Sequence, residues 1–363
     1  MAGNSHAGIG RYISELVTQI LRSGSGEEWV LFFRDQAQSE QVVGKKLPQG
    51  VEVVFADIRH YSLKEQILLP RIFARAKLHL LHVPHFNAPY FYRGPLVITI
   101  HDLLWHDHRG TKVTTLPAWQ YWLKYGFYRF VTGKAIARAK YVLVPTRTVE
   151  KIVHSFYPHA KAKTVVTYEG YDQKIFTSAT VAKTQAVTAK NLLYVGSLYP
   201  HKNIEVVLRA LLQLPEFKLN IVSSRSVFQD RVAKRVSELG LETQVNFLGY
   251  VPDKPLRDLY QKSYATVCPS LSEGFGLPGI ESMASGGCVV ASAIPIFREV
   301  YRKAAIFFSP TSPESLIKAL NHLTPELRVT LRKRAAGLIS NYNWQTMATQ
   351  TLHAYHQALS IKS

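Results

Sequence analysis

The stretch SEGFGLPGIESMASGG, residues 272–287, places two glutamates, Glu273 and Glu281, around a glycine-rich turn. The apolar run just before it, 265–270, predicts a buried β-strand. Glycine lets a backbone approach a ligand closely, and the proline that follows suits the first position of a helix. We therefore expect a strand, a loop and a helix over about 278–285, and the start of that helix suits an anion such as phosphate.

Two interpretations of the two acids are open. In the first, Glu281 caps its helix and Glu273 is a solvated loop residue. In the second, both carboxylates flank one bound molecule and accept hydrogen bonds from the hydroxyl groups of a sugar ring and a ribose. A phosphate combined with a ribose and a sugar describes a nucleotide-sugar. Taken alone, the stretch favours the first interpretation. Other segments of the chain are needed to choose between the two interpretations.

The composition is that of a globular protein. The chain has 363 residues, 47% hydrophobic and 19% charged, which is enough for two domains of ordinary size. Cys268 and Cys288 lie inside apolar runs and are expected to be buried thiols of a reducing compartment. The N-terminal residues lack the apolar segment of a signal peptide, and no stretch approaches the roughly 20 apolar residues that span a bilayer. We expect a cytoplasmic protein.

The charge of the chain is strongly positive. Lys and Arg number 44 against 25 Asp and Glu, which gives a formal net charge of +19. The segment 108–149 holds no acid but many lysines and arginines. The electrostatic field of these positive charges attracts phosphate, nucleic acid or acidic lipid. No compact basic and aromatic module of a known nucleic-acid-binding type is present, so nucleic acid is not the expected partner.

The stretch 116–140 is aromatic as well as basic and predicts a helix. One face of that helix would hold Trp119, Trp122, Leu123, Gly126 and Phe130, and another would hold Tyr121, Tyr125 and Tyr128. One interpretation is a helix packed on its sheet with the tyrosines at the rim. The other is an interfacial helix that meets lipid headgroups, and the two are compatible. The interfacial interpretation therefore predicts a peripheral contact between this helix and an anionic membrane.

Short apolar runs alternate with helical periodicity along the chain. The runs predict strands at 29–33, 51–55, 78–83, 96–100 and 141–145, and a second series at 191–196, 218–222, 245–249, 265–270, 288–292 and 304–308. This alternation is typical of α/β domains with doubly wound parallel sheets, whose ligands bind beyond the carboxyl ends of the strands. We expect domains over 1–171 and 172–345, and a C-terminal helix at 346–363 able to cross back to the first domain.

The spacing of Glu273 and Glu281 resembles the E-x7-E signature of retaining glycosyltransferases of family 4. The resemblance extends over nearly the whole chain, through GIGRY 8–12, ITIHDLLW 98–105, LLYVGSLYPHKNIEVVLRAL 192–211, VNFLGYVPDKPLRDLY 245–260 and IPIFREV 294–300. It implies the GT-B fold, in which two Rossmann-like domains face a central cleft. The combination of GIGRY with EGFGLP is similar to bacterial mannosyltransferases of polysaccharide assembly.

The resemblance implies a hexosyltransferase that uses a nucleotide-sugar and retains configuration. Its favoured donor is GDP-mannose, and its acceptor would be a glycan or lipid-linked molecule in cell-surface polysaccharide or lipopolysaccharide assembly at the inner face of the membrane. The alternatives are a UDP-sugar donor, or a non-enzymatic nucleic-acid- or anion-binding protein of the same fold. Neither a cofactor nor a metal is expected, because a lysine and a helix start can hold the diphosphate.

The family's roles carry over to matching residues of this chain. Glu273 would hold the hydroxyls of the donor sugar and Glu281 those of the ribose. Lys202 would neutralise the diphosphate leaving group, and His101 would project near the reacting carbon. The remaining roles are backbone N–H groups for sugar and phosphate from Gly274, Phe275, Gly276 and Leu277, close backbone approach at Gly8 and Gly10, base contacts from Tyr250 and Val251, and acceptor contacts from Phe86, Tyr90 and Arg93.

The chain departs from the family pattern near its start and near the phosphate site. The family has a full strand before the glycine loop, whereas only MAGNSHA precedes Gly8. That strand is central in the sheet order 3-2-1-4-5-6, so we expect exposed ladders in the first domain, from either a misassigned start codon or a damaged domain. Ser197 stands where many members have arginine, so Lys202, with His201 or Arg225, would carry the phosphate charge.

The segment HDLLWHDH, 101–108, raises the possibility of a metal cluster. Its histidines lack the i, i+4 spacing of helical ligands, so we do not expect one and interpret His106 and His108 as solvated loop residues. We also expect no second carboxylate near His101 that is well placed for a double displacement. This favours front-face attack, in which the departing phosphate takes the proton of the acceptor.

Overall fold

The computed structural model describes residues 7–24, 26–58, 62–107, 117–176, 189–224 and 227–360. The chain divides into two compact units. Unit 1 consists of Met1–Glu169 together with Trp344–Ser363, and unit 2 consists of Gly170–Asn343. Each unit is built from parallel strands and helices, the α/β architecture that the alternating sequence pattern predicts.

Unit 1 begins with a helix and continues as strands and helices. Its elements are α1 (Ala7–Ser23), β1 (Trp29–Phe33), α2 (Gln36–Val43), β2 (Val51–Phe55), α3 (Leu63–Arg75), β3 (Leu81–Val83), β4 (Leu96–Thr99), α4 (Leu104–Asp107), α5 (Ala118–Arg138), β5 (Tyr141–Val144), α6 (Arg147–Phe156) and β6 (Thr164–Val166). The strands form two parallel sheets, β1-β2 and β3-β4-β5-β6. Among the described residues, no strand joins these two sheets.

Unit 2 contains one six-stranded parallel sheet. Its elements are β7 (Asn191–Val195), α7 (Ile204–Leu211), β8 (Lys218–Val222), α8 (Val227–Glu238), β9 (Val245–Gly249), α9 (Asp253–Lys262), β10 (Ala265–Cys268), α10 (Leu277–Ala284), β11 (Val289–Ser292), α11 (Pro295–Tyr301), β12 (Ala305–Phe308), α12 (Pro313–Asn321) and α13 (Pro325–Ile339). The strand order is β12-β11-β10-β7-β8-β9. The chain leaves β7 towards β8 and leaves β10 towards β11, so the neighbours β7 and β10 form a topological switch point.

The last helix, α14 (Trp344–Ser360), belongs to unit 1 and packs along α1. The ring of Tyr355 lies 6.2 Å from that of Trp29 on β1 and 5.4 Å from that of His82 on β3. One side chain of α14 therefore touches an edge strand of each sheet in unit 1. Burial raises the pKa of Tyr355 well above its ordinary value, so the phenol stays uncharged.

The orientation of α5 reverses the expectation for its tyrosines. Tyr121 and Tyr128 are buried, not at the rim. The opposite face is exposed, with 68% of Trp119 and 70% of Leu123 accessible. We define this exposed α5 face by its large apolar side chains, Trp119, Trp122, Leu123, Phe127 and Phe130. Within the described ranges, no helix is long and apolar enough to cross a membrane.

Candidate active site

The carboxyl ends of β7 and β10 bring Lys202 next to Glu273. Lys202 ends a short 3-10 helix, Pro200–Lys202, and Glu273 lies in the loop before α10. Nζ of Lys202 is 2.6 Å from Oε1 of Glu273, and only 21% and 17% of the two side chains are exposed. Ser270 donates a hydrogen bond of 2.8 Å to the same oxygen. Because β7 and β10 meet at the switch point, residues 71 positions apart become neighbours.

Asn203 attaches the lysine segment to the glutamate loop. Its φ of 55° is left-handed, a conformation that asparagine tolerates better than most residues. Its side-chain amide donates to the carbonyl oxygens of Pro269 (3.0 Å) and Pro310 (2.8 Å). The N–H of Leu271 donates to the carbonyl of His201, whose ring stacks on Tyr199. The position of Lys202 is therefore set by the backbone as well as by its own ion pair.

The loop between Glu273 and α10 turns at Gly276. Its φ of 97° is left-handed, and a Cβ there would lie 2.4 Å from Oη of Tyr301, so a side chain does not fit. Tyr301 donates a 2.6 Å hydrogen bond to the carbonyl of Gly276. Phe275 and Leu277 bury their side chains in the core. The start of α10 has no side-chain cap, so its N–H groups suit an anion.

Glu281 lies in the second turn of α10, not in the first turn as expected, because the helix begins at Leu277. It is only 3% exposed, and its Oε2 accepts a 3.0 Å hydrogen bond from Oη of Tyr260. A buried carboxylate needs such a donor. The interpretation of Glu281 as a helix cap is therefore wrong, and so is that of Glu273 as a solvated loop acid.

The groups beneath the Lys202–Glu273 pair are uncharged. Burial, with the Glu273 carboxylate adding to it, raises the pKa of Tyr194 well above its ordinary value. Burial raises the pKa of the Cys268 thiol to about 12, so this cysteine is no thiolate nucleophile near neutral pH. Tyr194 donates to the carbonyl of Ser197, the residue that replaces the family's arginine.

The structure brings Lys202, Glu273 and the start of α10 together, whereas the two residues expected to contact the base lie to one side. Tyr250 and Val251 follow β9, which is separated from β7 by β8 in the sheet. Tyr250 is 64% exposed and Val251 is half-buried. They share the carboxyl edge of the sheet with the lysine and the glutamate. Arg225, a further candidate for the phosphate charge, lies outside the described residues.

In unit 1, His101 follows β4 and is buried among three neighbours. Its Nε2 lies 3.2 Å from the carbonyl oxygen of Pro84, and its Nδ1 lies 3.5 Å from Oε1 of Glu169. The ring of Tyr12 meets it edge-on, with centroids 4.6 Å apart. A carboxylate, that of Glu169, therefore lies near His101, and both side chains are buried. Sequence reasoning missed Glu169 because it follows β6, a three-residue strand that was not predicted.

A chain of buried and partly buried hydrogen bonds connects Tyr12 to α14. Oη of Tyr12 lies 3.1 Å from Oγ1 of Thr99, which lies 2.9 Å from Nε2 of His82. Nδ1 of His82 lies 2.5 Å from Oη of Tyr355. Burial, helped by the nearby His101, lowers the pKa of His82 to about 3, so its ring is neutral. These hydrogen bonds connect β4, the strand before His101, to the C-terminal helix α14.

The acceptor candidates lie in the loop between β3 and β4. Phe86 is half-buried and meets Tyr128 edge-on at 4.9 Å. Tyr90 is also half-buried and lies 5.3 Å from Phe130 on the exposed α5 face. Arg93 is exposed, with its guanidinium 5.9 Å from the ring centroid of Tyr90. The acceptor loop and the α5 face are therefore neighbours within unit 1.

Gly8 and Gly10 do not form the expected loop. Both lie in the first turns of α1, which starts at Ala7. A Cβ on Gly8 would meet nothing within 4 Å, so that site has room for a side chain. Their helical position corrects the prediction of a glycine loop, and their approach to a diphosphate or acceptor stays a prediction.

The histidines of 101–108 do not form a metal cluster where they are described. Among the described residues, no group of three or more His, Cys, Asp or Glu side chains could hold a metal ion. His106 is not the solvated loop residue that was expected. It is buried in α4, with Nδ1 2.8 Å from Oη of Tyr128 and Nε2 2.8 Å from Oη of Tyr157. His108 lies outside the described residues.

Two family models match consecutive parts of the chain. The model for Glycosyltransferase Family 4 matches residues 6–174, and the model for Glycosyl transferases group 1 matches residues 179–336. Together they take in the parallel sheets of both units and the two glutamates Glu273 and Glu281. The chain belongs to the family 4 glycosyltransferases and has their GT-B fold, as the resemblance implied.

Its relatives include mannosyltransferases of O-antigen synthesis. The chain is 28% identical over 378 residues to O-antigen chain mannosyltransferase B of Escherichia coli, covering 96% of this chain and 95% of that protein. It is 32% identical over 199 residues to O-antigen chain mannosyltransferase RfbU of Salmonella typhimurium, and this match spans about half of each protein (54%). Sucrose-phosphate synthase from Thermosynechococcus elongatus shares the fold, with a TM-score of 0.79 at 21% identity over 99% of this chain and 95% of that one.

Proposed function

We propose that this glycosyltransferase transfers mannose from GDP-mannose, with retention of configuration, to a glycan or lipid-linked acceptor in cell-surface polysaccharide or lipopolysaccharide assembly. The observation that carries the proposal is the Lys202–Glu273 pair beside the uncapped start of α10. It combines a cation, an acceptor for hydroxyl groups and a helix N-terminus at a switch point, which suits a nucleoside diphosphate joined to a sugar. The two O-antigen mannosyltransferases support mannose as the sugar.

Lys202 and Glu273 can serve the donor without giving up their pair. An ammonium group has three N–H donors, so Lys202 can bind Glu273 and a diphosphate oxygen together. Lys202 and Ser270 both bind Oε1 of Glu273, and we assign Oε2 to the hydroxyls of the sugar. A fixed cation beside the diphosphate stabilises the charge that develops as the glycosidic bond breaks. The proposal therefore includes no metal ion.

The nucleoside end of the donor would bind along the same edge of unit 2. Backbone N–H groups of 274–277 would bind the sugar and the phosphate. Glu281, whose Oε2 accepts from Tyr260, would accept from the ribose hydroxyls. The exposed ring of Tyr250 and the neighbouring Val251 would contact the base.

We propose front-face attack as the route to retention. Glu169 is buried and faces His101, so it is not placed to act as the nucleophile of a double displacement. The acceptor hydroxyl forms the new bond to the sugar carbon while the bond from that carbon to the diphosphate oxygen breaks. The departing diphosphate takes the hydroxyl proton. The acceptor enters on the face that the diphosphate leaves, so configuration is kept.

The exposed α5 face supports a membrane-bound acceptor. Its apolar side chains lie beside the exposed lysines Lys124 and Lys134, and Nζ of Lys134 is 5.9 Å from the ring centroid of Phe130. Amphipathic aromatics with cations suit the headgroup region of an anionic bilayer. Because Tyr90 adjoins Phe130, an acceptor held at that surface would be presented to the loop of Phe86 and Arg93.

A donor and acceptor assay tests the proposal. Purified protein is given GDP-mannose, other GDP-sugars or UDP-sugars with a lipid-linked saccharide, and the anomeric configuration of the product is read by NMR. Transfer from GDP-mannose with retention supports the proposal. Transfer from a UDP-sugar alone would show that the donor is a UDP-sugar and not GDP-mannose. Failure to turn over any nucleotide-sugar, together with salt-dependent DNA binding, would favour a non-enzymatic anion-binding protein.

A further inference from the structure

Two helices of unit 1 hold the loop between β3 and β4. Nη1 of Arg138, at the end of α5, donates a 2.7 Å hydrogen bond to the carbonyl oxygen of Tyr90. From α3, Oε1 of Gln66 accepts a 2.7 Å hydrogen bond from the N–H of Tyr90, and Oε2 of Glu65 accepts one of 2.8 Å from the side-chain amide of Asn87. The backbone of Tyr90 is therefore fixed from both sides.

Three positively charged side chains gather around the rings of Tyr90 and Phe130, whose centroids are 5.3 Å apart. The guanidinium of Arg93 lies 5.9 Å from the centroid of Tyr90, and Nζ of Lys134 lies 5.9 Å from the centroid of Phe130. Lys134 and Arg138 are four residues apart on α5, so they lie on the same face of the helix. We define the basic cluster of unit 1 as Arg93, Lys134 and Arg138.

The basic cluster has no acidic partner in the part of the chain that the structure describes. None of its side chains forms an ion pair there, and neither α5 nor the loop between β3 and β4 contains an acid. Glu65 is only 3% exposed and accepts from Asn87. Burial, with the charge of Arg93 adding to it, lowers the pKa of Arg138, but an arginine stays protonated near neutral pH. These like charges repel one another, and a bound anion would offset the repulsion.

We propose that the basic cluster binds a phosphate group carried by a lipid. A guanidinium has five N–H donors in a planar fork, so Arg138 can hold the carbonyl of Tyr90 and a phosphate oxygen together. Phe130 belongs to the exposed α5 face, so the cluster continues the surface that is proposed to meet the membrane. An anionic headgroup and the diphosphate of a lipid-linked acceptor both offer this chemistry. The inference rests on the proposed function for the membrane-bound acceptor, and it deepens that function.

Calorimetry with inorganic diphosphate tests the site on the full chain, in a Lys202→Gln background that removes the cation of the donor site. Adding Arg93→Gln should weaken the affinity on the order of tenfold, the loss of one charge-assisted hydrogen bond. Arg93 is exposed, so this variant should fold as wild type does. Lys124→Gln is the control, because it removes an exposed charge of α5 about 20 Å along the helix from Arg138. Absence of binding, or equal weakening by Arg93→Gln and Lys124→Gln, would overturn the proposal.

Vesicle sedimentation identifies the lipid that carries the phosphate. One arm uses neutral phosphatidylcholine vesicles that contain a polyprenyl diphosphate, and the other uses vesicles that contain phosphatidylglycerol. A loss of binding by Arg93→Gln in the first arm alone assigns the site to the acceptor diphosphate, and a loss in the second arm assigns it to the headgroup. Unchanged binding in both arms would overturn the assignment to a lipid. Because no donor is present, the expected binding without sugar transfer would refute the proposed function alone, whereas sugar transfer with no effect of Arg93→Gln on binding would refute the site alone.

Discussion

Nζ of Lys202 lies 2.6 Å from Oε1 of Glu273, although the two residues are 71 positions apart. The lysine is the cation proposed to hold the donor diphosphate, so Lys202→Gln should weaken GDP-mannose binding on the order of tenfold, the loss of one charge-assisted hydrogen bond. Calorimetry measures the affinity. Lys190→Gln is the matched control, since it removes an ion pair with Glu216 and a contact with the Phe217 ring at the amino end of β7, away from Glu273. Equal affinities for Lys202→Gln and wild type would remove Lys202 from the donor site.

Glu281→Gln should also weaken donor binding, because a neutral amide accepts less strongly from the two ribose hydroxyls. Its carbonyl oxygen can still accept from Tyr260, so the thermal stability should change little. The loss in affinity should be about tenfold, from one weakened hydrogen bond to a charged group. Tyr260→Phe is the comparison, since it removes the hydroxyl and leaves the carboxylate. Unchanged calorimetric affinity in Glu281→Gln would show that this residue does not contact the donor.

Sugar transfer should survive chelation of divalent metals. The motivation is the Lys202 ammonium beside the start of α10, which together can hold a diphosphate. The initial rate is measured after dialysis against excess EDTA and again after magnesium or manganese is added back. The rates after EDTA treatment and after metal is added back should agree within about twofold, because no metal ion takes part in the proposed reaction. Complete loss of activity that either metal restores would contradict a metal-free site.

The exposed α5 face should bind anionic vesicles. Each lysine near such a surface contributes about 1 kcal/mol, screened over a Debye length of roughly 8 Å at physiological salt, so binding should weaken as salt rises. Sedimentation with anionic and neutral liposomes should show that Lys124→Glu/Lys134→Glu loses binding to the anionic ones. Arg129 is a poorer choice, because its guanidinium packs on Phe156 and donates to Tyr125.

The apolar part of that face is tested separately. Trp122→Ser/Leu123→Ser should reduce partitioning on the order of tenfold or more, because both side chains are exposed and would enter the interface. Leu212→Ser/Val329→Ser removes exposed apolar side chains from unit 2 and should leave binding unchanged. Equal binding to neutral and anionic liposomes, or identical behaviour of both double variants, would make α5 an ordinary surface helix.

Acidification should destabilise the protein through His82. Burial lowers the pKa of this residue from 6.5 to about 3. Between these two values the unfolded chain binds a proton that the folded chain does not, so the free energy of unfolding falls by about 1.4 kcal/mol per unit of falling pH. Above that window the residue adds no pH dependence.

Urea unfolding of variants at several pH values checks this slope. His82→Gln should show a flatter profile than wild type between about pH 6.5 and 3, because the titrating group is gone. His353→Gln is the matched control, since it changes an exposed histidine on α14. Parallel profiles for wild type and His82→Gln would contradict the burial of a neutral ring between Thr99 and Tyr355.

The sequence predicted the elements that depend on local pattern. The strands at 218–222 and 245–249 have the predicted bounds, because each is a short run rich in apolar residues with the length of a typical strand. The helix after Glu273 was placed within one residue, because a glycine turn followed by proline is a strong start signal. The same stretch also carries the resemblance to family 4, because the spacing of its two glutamates can be read directly from the sequence.

What the sequence did not predict depends on contacts between distant segments. Periodicity grouped the residues of α5 into its two faces. Both faces carry aromatic side chains, so periodicity could not tell which face is buried. Tyr128 is buried because its hydroxyl reaches His106, a partner that no local pattern shows. In the same way, Glu169 was missed because a three-residue strand carries too little pattern to place the acid that follows it.

Lys202 and Glu273 are proposed to form part of a nucleotide-sugar site. The most direct measurement is thermal unfolding of wild type and Glu273→Gln with a panel of nucleotide-sugars. A ligand at 100 times its Kd stabilises the folded protein by about 2.7 kcal/mol. We expect GDP-mannose to stabilise wild type more than UDP-sugars do, and Glu273→Gln to lose most of this effect. Stabilisation by no nucleotide-sugar, or equal stabilisation of wild type and Glu273→Gln, would contradict the proposal.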